Sequence, residues 1–408
     1  MNLSQAVALD RADPLAPLRD RFAIPEGTIY LDGNSLGAMP RAVPERMARA
    51  VAEEWGRDLI TSWNRHDWID LPRRTGEKIA PLIGAAPGTV VVADSTSVNI
   101  FKLLAVALAR RPDRRVIVTE TGNFPTDIYV AGGVASLMGE GREVRLAAAG
   151  DLTGAIRDDV AVVLLTEVNY RTGARLDMRA LTAHAHAAGA LVIWDLCHSA
   201  GAFPVDLAGC AADFAVGCGY KYLNGGPGAP AFAYVAPTHL PGLRQPLSGW
   251  LGHRAPFDFA PDYAPAAGID ALRVGTPPIL SMSALDTALD AFAGVDLAAL
   301  RRKADALFGL FVAEVAARCP DLEPLTPRDP ARRGTQVSLR HPEAHAVMQA
   351  LIARGVIGDF RQPDILRFGL TPLYLRHEDV WRAAEILGEV ITTRAWDTPA
   401  FRHRAKVV

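Results

Sequence analysis

The chain has 408 residues, half of them hydrophobic, and a formal net charge of −2. This length allows two domains, and the balanced charge provides no basic surface of the kind that binds nucleic acid. No apolar run reaches the roughly 20 residues needed to span a bilayer. The first 21 residues are mixed and charged, unlike a signal peptide, and the four cysteines form no CxxC pair. We therefore expect a cytoplasmic protein with reduced thiols and no membrane partner.

The predicted elements alternate between short apolar strands and alanine-rich helices. A helical stretch at 41–55 comes first. The predicted strands are 90–93, 115–119, 143–146, 161–166, 190–195, 214–217 and 231–235, and the intervening helices include 98–109 and 126–138. Near-continuous apolar strands separated by helices are typical of a mainly parallel sheet covered on both faces. Such a sheet binds its ligands beyond the carboxyl ends of its strands.

The rest of the chain predicts irregular structure followed by a second domain. Residues 236–278 are rich in proline, glycine and aromatics, and a long helix over about 281–318 leads into a smaller α+β region. We expect a segment 1–60 that joins the small domain, a large domain 61–285 and a small domain 286–408. His341 and His345 have Pro342 between them and no third ligand nearby, so no metal site is expected.

Lys221 stands out among the few lysines. The other four are Lys78, Lys303 and Lys406, whose polar neighbours predict solvated amines, and Lys102, whose helical spacing predicts a stem that reaches outward to solvent. Lys221 instead follows an apolar strand and precedes a glycine-rich turn. A desolvated lysine has a lowered pKa and forms a Schiff base with a carbonyl. A strand-end lysine paired with a carboxylate is the other interpretation of the same residue.

Further polar groups follow strands of the same predicted sheet. Asp195 ends a buried strand, where a protonated pyridine nitrogen would offset the cost of an unpaired carboxylate, although it could also cap the next helix. His198 could stack near such a ring or pack in the core. Thr96 and Ser97 lie at a helix start, where N–H groups bind phosphate, although ordinary capping needs the same residue types.

A third strand-to-helix loop completes the set. Phe124 could cover a flat ring, Asp127 could support Asp195, and Thr166, at the end of another strand, could reach a ring hydroxyl or a phosphate. Each signal is weak alone. Their concentration at the carboxyl ends of strands in one sheet indicates a carbonyl cofactor with a pyridine ring and a phosphate.

This set matches pyridoxal-phosphate (PLP) enzymes of the aminotransferase-like fold, and eight motifs resemble the kynureninase family. They occur in order over about residues 27–385. The motifs are Leu31-Asp-Gly-Asn-Ser-Leu-Gly37, Asn123-Phe-Pro-Thr-Asp127, Asn169-Tyr-Arg-Thr-Gly173, Trp194-Asp-Leu-Cys-His-Ser-Ala-Gly201, Gly219-Tyr-Lys-Tyr-Leu-Asn-Gly-Gly226, Gly249-Trp-Leu-Gly-His253, Gly275-Thr-Pro-Pro-Ile279 and Leu366-Arg-Phe-Gly-Leu-Thr-Pro-Leu-Tyr374. The resemblance implies an α/β protein of PLP fold type I, with a mainly parallel seven-stranded sheet in the large domain and a smaller α+β domain.

The resemblance also implies roles for individual residues. Lys221 binds PLP and removes the substrate's α-proton, and Asp195 pairs with the pyridine nitrogen. Arg367 binds the substrate's α-carboxylate, a task suited to a guanidinium. The other implied cofactor residues are Thr96, Ser97, Phe124, Pro125, Thr126, Asp127, Thr166, His198 and Tyr220, with Trp250 and Thr276 from the second subunit of a homodimer, while Ser35 and Trp63 line the aromatic end of the substrate pocket.

The implied reaction is hydrolysis of the Cβ–Cγ bond of L-kynurenine to anthranilate and L-alanine, in tryptophan catabolism by the kynurenine pathway and in NAD biosynthesis. Family members that favour 3-hydroxykynurenine carry histidine near Trp63 and asparagine at Thr276, so the residues present favour unsubstituted kynurenine. Tyr220 either donates a proton after cleavage or only binds the phosphate.

Two alternatives share the fold. A cysteine desulfurase needs a reactive thiol on a mobile loop, and Cys319, the single cysteine of the small domain, lies at a predicted helix end without a glycine-rich loop. A silent cofactor-binding homologue would lack a catalytic residue, whereas none is missing. Both are less favoured than the hydrolase.

Overall fold

The computed structural model describes residues 1–404. The α-helices are α1 (Leu3–Ala12), α2 (Val43–Arg49), α3 (Ser62–Arg65), α4 (Leu71–Ile79), α5 (Thr96–Ala109), α6 (Pro125–Met138), α7 (Leu152–Ala155), α8 (Met178–Ala187), α9 (Ile279–Ala288), α10 (Leu297–Arg318), α11 (Ala344–Ile352), α12 (His377–Thr392) and α13 (Pro399–Arg402). The strands are β1 (Ile29–Tyr30), β2 (Val90–Val92), β3 (Val116–Glu120), β4 (Glu143–Ala147), β5 (Val160–Thr166), β6 (Leu191–Asp195), β7 (Phe214–Gly217), β8 (Phe232–Val235), β9 (Glu323–Pro324), β10 (Gln336–Arg340), β11 (Val356–Ile357), β12 (Asp359–Arg361) and β13 (Ile365–Gly369).

The chain forms two compact units. The large unit comprises Val43–Asn169 and Leu176–Leu289, and the small unit comprises Met1–Ala42, Tyr170–Arg175 and the chain from Asp290 onward. The domain boundaries given above from the sequence stay a prediction.

The large unit contains a seven-stranded sheet in the order β2-β8-β7-β6-β5-β3-β4. Strand β8 is antiparallel to both of its neighbours, and the other pairs are parallel. All residues of β5, β6 and β7 are buried, as expected for strands covered on both faces. The predicted mainly parallel seven-stranded sheet is confirmed.

Register aligns the carboxyl ends of the central strands. Thr166 pairs with Asp195, and Asp195 pairs with Val216 on the next strand. The residues that follow β5, β6 and β7 therefore leave the sheet side by side, at the edge where parallel sheets bind ligands.

The small unit contains two further sheets. Strands β12, β13, β10 and β9 form an antiparallel sheet in that order, and β1 pairs in parallel with β11. Helices α10 and α12 pack against each other within the same unit. Asp359 of β12 lies directly opposite Arg367 of β13.

Two helix predictions were wrong in extent. The helix predicted over 281–318 is interrupted: α9 ends at Ala288, a 3-10 turn follows, and Gly294 has a φ of 73°. A left-handed glycine ends a helix, and Asp296 then caps α10 by accepting a hydrogen bond from Ala298 N at 2.8 Å. The stretch predicted at 41–55 is α2 followed by a π-helical segment, Ala50–Trp55.

None of the helices within residues 1–404 has the length and apolar character that a bilayer crossing requires.

Candidate active site

Lys221 lies just beyond β7, in a turn that requires glycine. Asn224 N donates to Lys221 O at 2.9 Å, and Gly225 N donates to Gly219 O at 2.9 Å. A Cβ at Gly225 would lie 2.8 Å from Gly219 O, and a Cβ at Gly219 would lie 2.4 Å from Pro230 O. The two glycines therefore allow the backbone segments on either side of Lys221 to approach each other closely. This tight turn fixes the position of the Lys221 Cα.

The Lys221 amine lies among the predicted site residues of the large unit. Its Nζ is 3.0 Å from His198 Nε2 and 5.9 Å from the ring centroids of both Phe124 and Tyr220. His198 is buried, whereas 42% of Phe124 is exposed. The structure thus brings the amine, an imidazole and an open aromatic face to one place.

Asp127 and Asp195 form a buried acidic pair, 1% and 3% exposed. Asp195 accepts a hydrogen bond from Cys197 N at 2.7 Å, and Asp127 accepts one from Thr166 Oγ1 at 3.2 Å. Burial raises the pKa of Asp195 above its ordinary value. Burial, together with the charge of Asp195, also raises the pKa of Asp127 well above its usual range. A buried acid pair of this kind is stabilised by a cationic ligand group.

Asn123 supports this pair, and the sequence analysis did not single it out as a site residue. Its Nδ2 donates to Thr119 Oγ1 at 3.0 Å, and its Oδ1 accepts from Phe124 N at 2.7 Å and from the Thr166 hydroxyl. Its amide thus links β3, β5 and the start of α6. Its position directly before Phe124, in a loop that follows a strand, was the available signal.

The start of α6 carries four of the predicted residues. Phe124 occupies the position before the helix, and Pro125, Thr126 and Asp127 form the first turn. Proline at the first helical position leaves no N–H unpaired and presets the backbone angle. This arrangement presents the Phe124 ring outward while Asp127 is buried behind it.

The start of α5 is capped by Ser95 and not by the residues predicted to bind phosphate. Ser95 Oγ accepts a hydrogen bond from Val98 N at 3.4 Å. Thr96 and Ser97 are half-buried in the first turn, and Thr96 Oγ1 lies 3.8 Å from Cys197 Sγ. Because Ser95 caps the helix, Thr96 and Ser97 do not have the capping role that was the other interpretation of their hydroxyl groups.

A second polar cluster lies in the small unit around Arg367, which is 1% exposed. Arg367 Nε donates to Asp359 Oδ1 at 2.6 Å, and its Nη2 also contacts that carboxylate. Its Nη1 donates to Tyr170 O at 2.6 Å, and its Nη2 donates to Ser35 Oγ at 2.9 Å. The bidentate side of the guanidinium is therefore bound to Asp359.

Arg361 and Asp32 complete this cluster, and the sequence analysis missed both of them as well as Asp359. Arg361 Nη2 lies 2.8 Å from Asp359 Oδ2. Burial alone would raise the pKa of Asp359, but hydrogen bonding and the charge of Arg367 hold it below its ordinary value. Burial and the charge of Asp359 raise the pKa of Asp32 to about 8. At neutral pH the cluster therefore has two guanidinium charges and one carboxylate charge, an excess that favours an anion.

Comparison with known proteins identifies the family. Residues 300–387 match the family model of the kynureninase C-terminal domain. The chain is 54% identical over 410 residues to a kynureninase of Burkholderia pseudomallei strain K96243, covering 99% of both chains. It is 53% identical over 411 residues to a kynureninase of Pseudomonas fluorescens, again covering 99% of both chains.

The chain belongs to the kynureninase family. The predicted resemblance is confirmed.

Solved structures that resemble this kynureninase-family chain confirm the predicted fold class. A cysteine desulfurase of Thermococcus onnurineus NA1 has a TM-score of 0.77 at 18% identity, covering 92% of this chain and 98% of that one. A cysteine desulfurase of Escherichia coli has a TM-score of 0.75 at 21% identity, covering 93% and 98%. At these identities the likeness concerns the fold alone.

The desulfurase alternative gains no support from the position of its required thiol. Cys319 is 3% exposed and follows the last residue of α10. Burial raises the pKa of this thiol, so little of it is in the nucleophilic thiolate form. The one thiol that the sequence analysis considered for a desulfurase is therefore buried at a helix end.

Three residues that the kynureninase resemblance assigns to the site remain: two have aromatic contacts elsewhere in the chain, and one is exposed. Trp63 stacks edge-to-face on Trp68 with ring centroids 5.7 Å apart. Trp250 is 41% exposed, and its ring contacts Phe257 and Phe259. Thr276 is exposed. The contacts described within residues 1–404 do not join these three residues to the Lys221 cluster.

Several lysine predictions were wrong. Lys102 does not reach solvent: it is 0% exposed, because α5 is apolar on all sides and the amine pairs with Asp94 Oδ2 at 2.8 Å. Lys303 is also buried, paired with Asp13 at 2.8 Å. Lys78 is half-buried, and Lys406 lies outside the described residues.

The residues of the large unit fit PLP. The buried acid pair requires a cation such as a protonated pyridine nitrogen, the exposed face of Phe124 offers stacking to a flat ring, and Lys221 supplies the amine for an aldehyde. The first turn of α5 offers hydroxyl and N–H groups to a phosphate.

Proposed function

We propose that this protein is a PLP-dependent hydrolase that cleaves the Cβ–Cγ bond of L-kynurenine, giving anthranilate and L-alanine. The observation that carries the proposal is the placement of Lys221 beside the buried pair Asp127 and Asp195 in a chain that matches kynureninases over its whole length. One water molecule is consumed, and its elements are divided between the two products.

PLP supplies an electron sink for the negative charge that develops on the substrate. Asp195 holds the pyridine nitrogen in its protonated form, and Asp127 stabilises Asp195 from behind. Phe124 covers one ring face, while Thr96 and Ser97 bind the phosphate with the N–H groups of α5, and Pro125, Thr126, Thr166 and His198 line the remaining cofactor surface.

Proton transfer belongs to Lys221 and Tyr220. The Lys221 amine takes the α-proton as a general base, and its hydrogen bond to His198, at 3.0 Å, restrains the direction of Nζ. Burial raises the pKa of Tyr220 above its ordinary value, so its hydroxyl stays protonated at neutral pH. Its position directly before Lys221 in the chain makes Tyr220 the proposed proton donor to carbon after cleavage.

Substrate recognition rests on the Arg367 cluster. Its excess positive charge attracts the α-carboxylate, and the half-buried Arg361 supplies a guanidinium that is more accessible than that of Arg367. Ser35 lies between the two arginines, where its hydroxyl accepts from Arg367. Trp63 lines the aromatic end of the pocket, and with Thr276 it favours kynurenine over 3-hydroxykynurenine.

We also propose a homodimer in which Trp250 and Thr276 of each subunit complete the site of the other. The support is an exposed aromatic surface: Phe257 and Phe259 are 62% and 74% exposed beside Trp250. Exposed aromatic side chains that lie together are typical of protein–protein interfaces. A cytoplasmic location and a role in tryptophan catabolism belong to the same proposal.

The decisive assay is anthranilate fluorescence after L-kynurenine is added to the PLP-loaded protein, with sulfide release from L-cysteine measured in parallel. Anthranilate without sulfide is expected. Lys221→Ala removes both the covalent attachment and the base, so turnover and the visible absorbance of bound PLP should both be lost. Lys303→Ala is the control lysine substitution. Sulfide release by the wild type, or full turnover by Lys221→Ala, contradicts the proposal.

A further inference from the structure

Lys102 is a buried charge for which the proposed chemistry gives no role. It lies in the middle of α5 among Leu103, Leu104 and other core residues, and it is 0% exposed. Burial lowers the pKa of its amine, and the charge of Asp94 opposes that shift. An apolar side chain would fill this position at lower cost, because a buried ammonium loses its hydration. The role of the charge must therefore lie in the groups to which the amine donates hydrogen bonds.

One partner of Lys102 belongs to the turn assigned to the cofactor phosphate, and the other leads to Thr276, which the proposed dimer places in the site of the second subunit. Its Nζ donates to Asp94 Oδ2 and to Leu272 O, each at 2.8 Å. Asp94 is two residues before Thr96 and joins β2 to α5. Leu272 ends a 3-10 turn four residues before Thr276. One amine thus connects the turn that precedes α5 with the segment that carries Thr276.

Asp94 has two properties that need such a partner. Its φ is 51°, in the left-handed region that a residue with a Cβ adopts at a cost. Its side chain is 30% exposed and carries negative charge beside the turn assigned to the phosphate, whereas Lys102 is completely covered. Without the ammonium this carboxylate would repel a phosphate dianion. The ion pair both fixes the turn and neutralises it.

We propose that Lys102 is a positioning residue for the cofactor's phosphate. It holds Asp94 in its left-handed conformation, cancels the charge of that carboxylate and anchors the segment that leads to Thr276. This inference rests on the proposed function, since it concerns the phosphate of PLP.

The test compares two ligands of the apo-protein, PLP and pyridoxal, which lacks the phosphate. Dissociation constants are measured by absorbance for the wild type and for Lys102→Met. We expect Lys102→Met to weaken PLP binding by at least about tenfold and pyridoxal binding by less than about twofold. A general loss of structure would weaken both ligands equally, and that result overturns the inference, as does unchanged PLP binding.

Lys303→Met is the matched control, because Lys303 is also buried and also pairs with an aspartate at 2.8 Å. It belongs to the small unit, so it should destabilise the fold without changing the ratio of the two dissociation constants. A similar change of ratio in Lys303→Met contradicts the assignment.

The double variant Lys102→Met/Asp94→Gly supplies a second test that does not depend on the single variant being soluble. Glycine adopts a φ of 51° without strain and removes the uncompensated carboxylate. PLP binding should return to within about threefold of the wild type. PLP binding by this variant that is at least about tenfold weaker than wild type overturns the inference. Failure of the wild type itself to bind PLP contradicts the proposed function together with this inference.

Discussion

Each unit of the molecule contains a pair of acidic side chains, Asp127 and Asp195 in the large unit and Asp359 and the half-buried Asp32 in the small unit, and the two pairs are held in opposite ways. In the large unit, burial raises the pKa of both Asp127 and Asp195, and the charge of Lys221 opposes this shift only in part. Their hydrogen bonds from Thr166 and Cys197 come from neutral groups. In the small unit, two guanidinium groups contact Asp359 and hold its pKa low, while Asp32 has a raised pKa.

We infer from this difference that aspartates in different surroundings form two sites for ligands of opposite charge. In the proposed function, a protonated pyridine nitrogen is the cation that completes the first pair. The second cluster already has more cationic than anionic groups, so it takes an anion such as an α-carboxylate. Substitutions in each cluster separate the two behaviours.

The largest effect is expected for Asp195→Asn. The amide has the same shape but cannot hold a pyridine nitrogen in its protonated form, so kcat should fall by roughly 10²–10³-fold. Cofactor content measured by absorbance should stay close to that of the wild type. Asp127→Asn should lower kcat by a smaller factor, because Asp127 is proposed to act on the ring only through Asp195. Equal kcat values for Asp195→Asn and the wild type would show that Asp195 does not act by pairing with a cation.

Arg367→Met tests whether the Arg367 cluster binds the carboxylate of the substrate. Loss of the charge should raise the KM for L-kynurenine by about a hundredfold. Asp359 would keep Arg361 as a partner, so the free energy of unfolding should fall by less than the roughly 3–5 kcal/mol that a fully unpaired buried charge costs. Pairing the change with Asp359→Asn should restore stability but not KM. Steady-state kinetics and urea denaturation measure the two quantities separately, and an unchanged KM would show that this cluster does not bind substrate.

The raised pKa of Asp32 predicts a pH dependence. Below about pH 8 this group is protonated in the folded state, whereas the unfolded chain releases the proton near pH 4. The folded state therefore binds more protons between these values, and its contribution to stability falls as the pH rises through this window. Above pH 8 the new negative charge cancels the excess positive charge of the cluster.

The kinetic consequence is a KM that rises as the pH passes through about 8. Asp32→Asn stays neutral and should lose this alkaline rise while it keeps the wild-type KM at pH 7. Persistence of the same rise in Asp32→Asn would assign it to another group.

The smallest effect is expected at the positions that select the aromatic ring. Trp63→His combined with Thr276→Asn should shift the ratio of kcat/KM values for kynurenine and 3-hydroxykynurenine by roughly tenfold toward the hydroxylated substrate. Trp68→Phe, which changes the neighbour of Trp63 and not the proposed substrate contact, is the control. An unchanged ratio would remove the specificity role from this pair of residues.

The sequence was most informative where local pattern decides structure. Apart from β4, which contains Glu143 and Arg145, the strands β2–β8 consist mainly of β-branched and apolar residues. The groups at their carboxyl ends follow from strand order in a parallel sheet. Asp359 and Arg361 could not be found in this way. They reach Arg367 only because β12 and β13 pair in a particular register, which depends on packing between distant segments.

Lys102 illustrates a different limit. Helical spacing correctly placed its neighbours on a helix, but the outward direction assumed for the side chain required a solvent-facing side that α5 lacks. Gly294 shows the reverse case, because a single glycine with positive φ ended a helix whose apolar pattern continued on both sides.

The central claim is that Lys221, among the lysines of this chain, carries the cofactor of a kynurenine-cleaving site. Borohydride reduction of the PLP-loaded protein, followed by peptide mass mapping, fixes the cofactor to the amine that holds it. We expect the modification on Lys221, with anthranilate formation lost in the same sample. Modification of Lys102 or Lys303 instead, or turnover that survives reduction of Lys221, would contradict it.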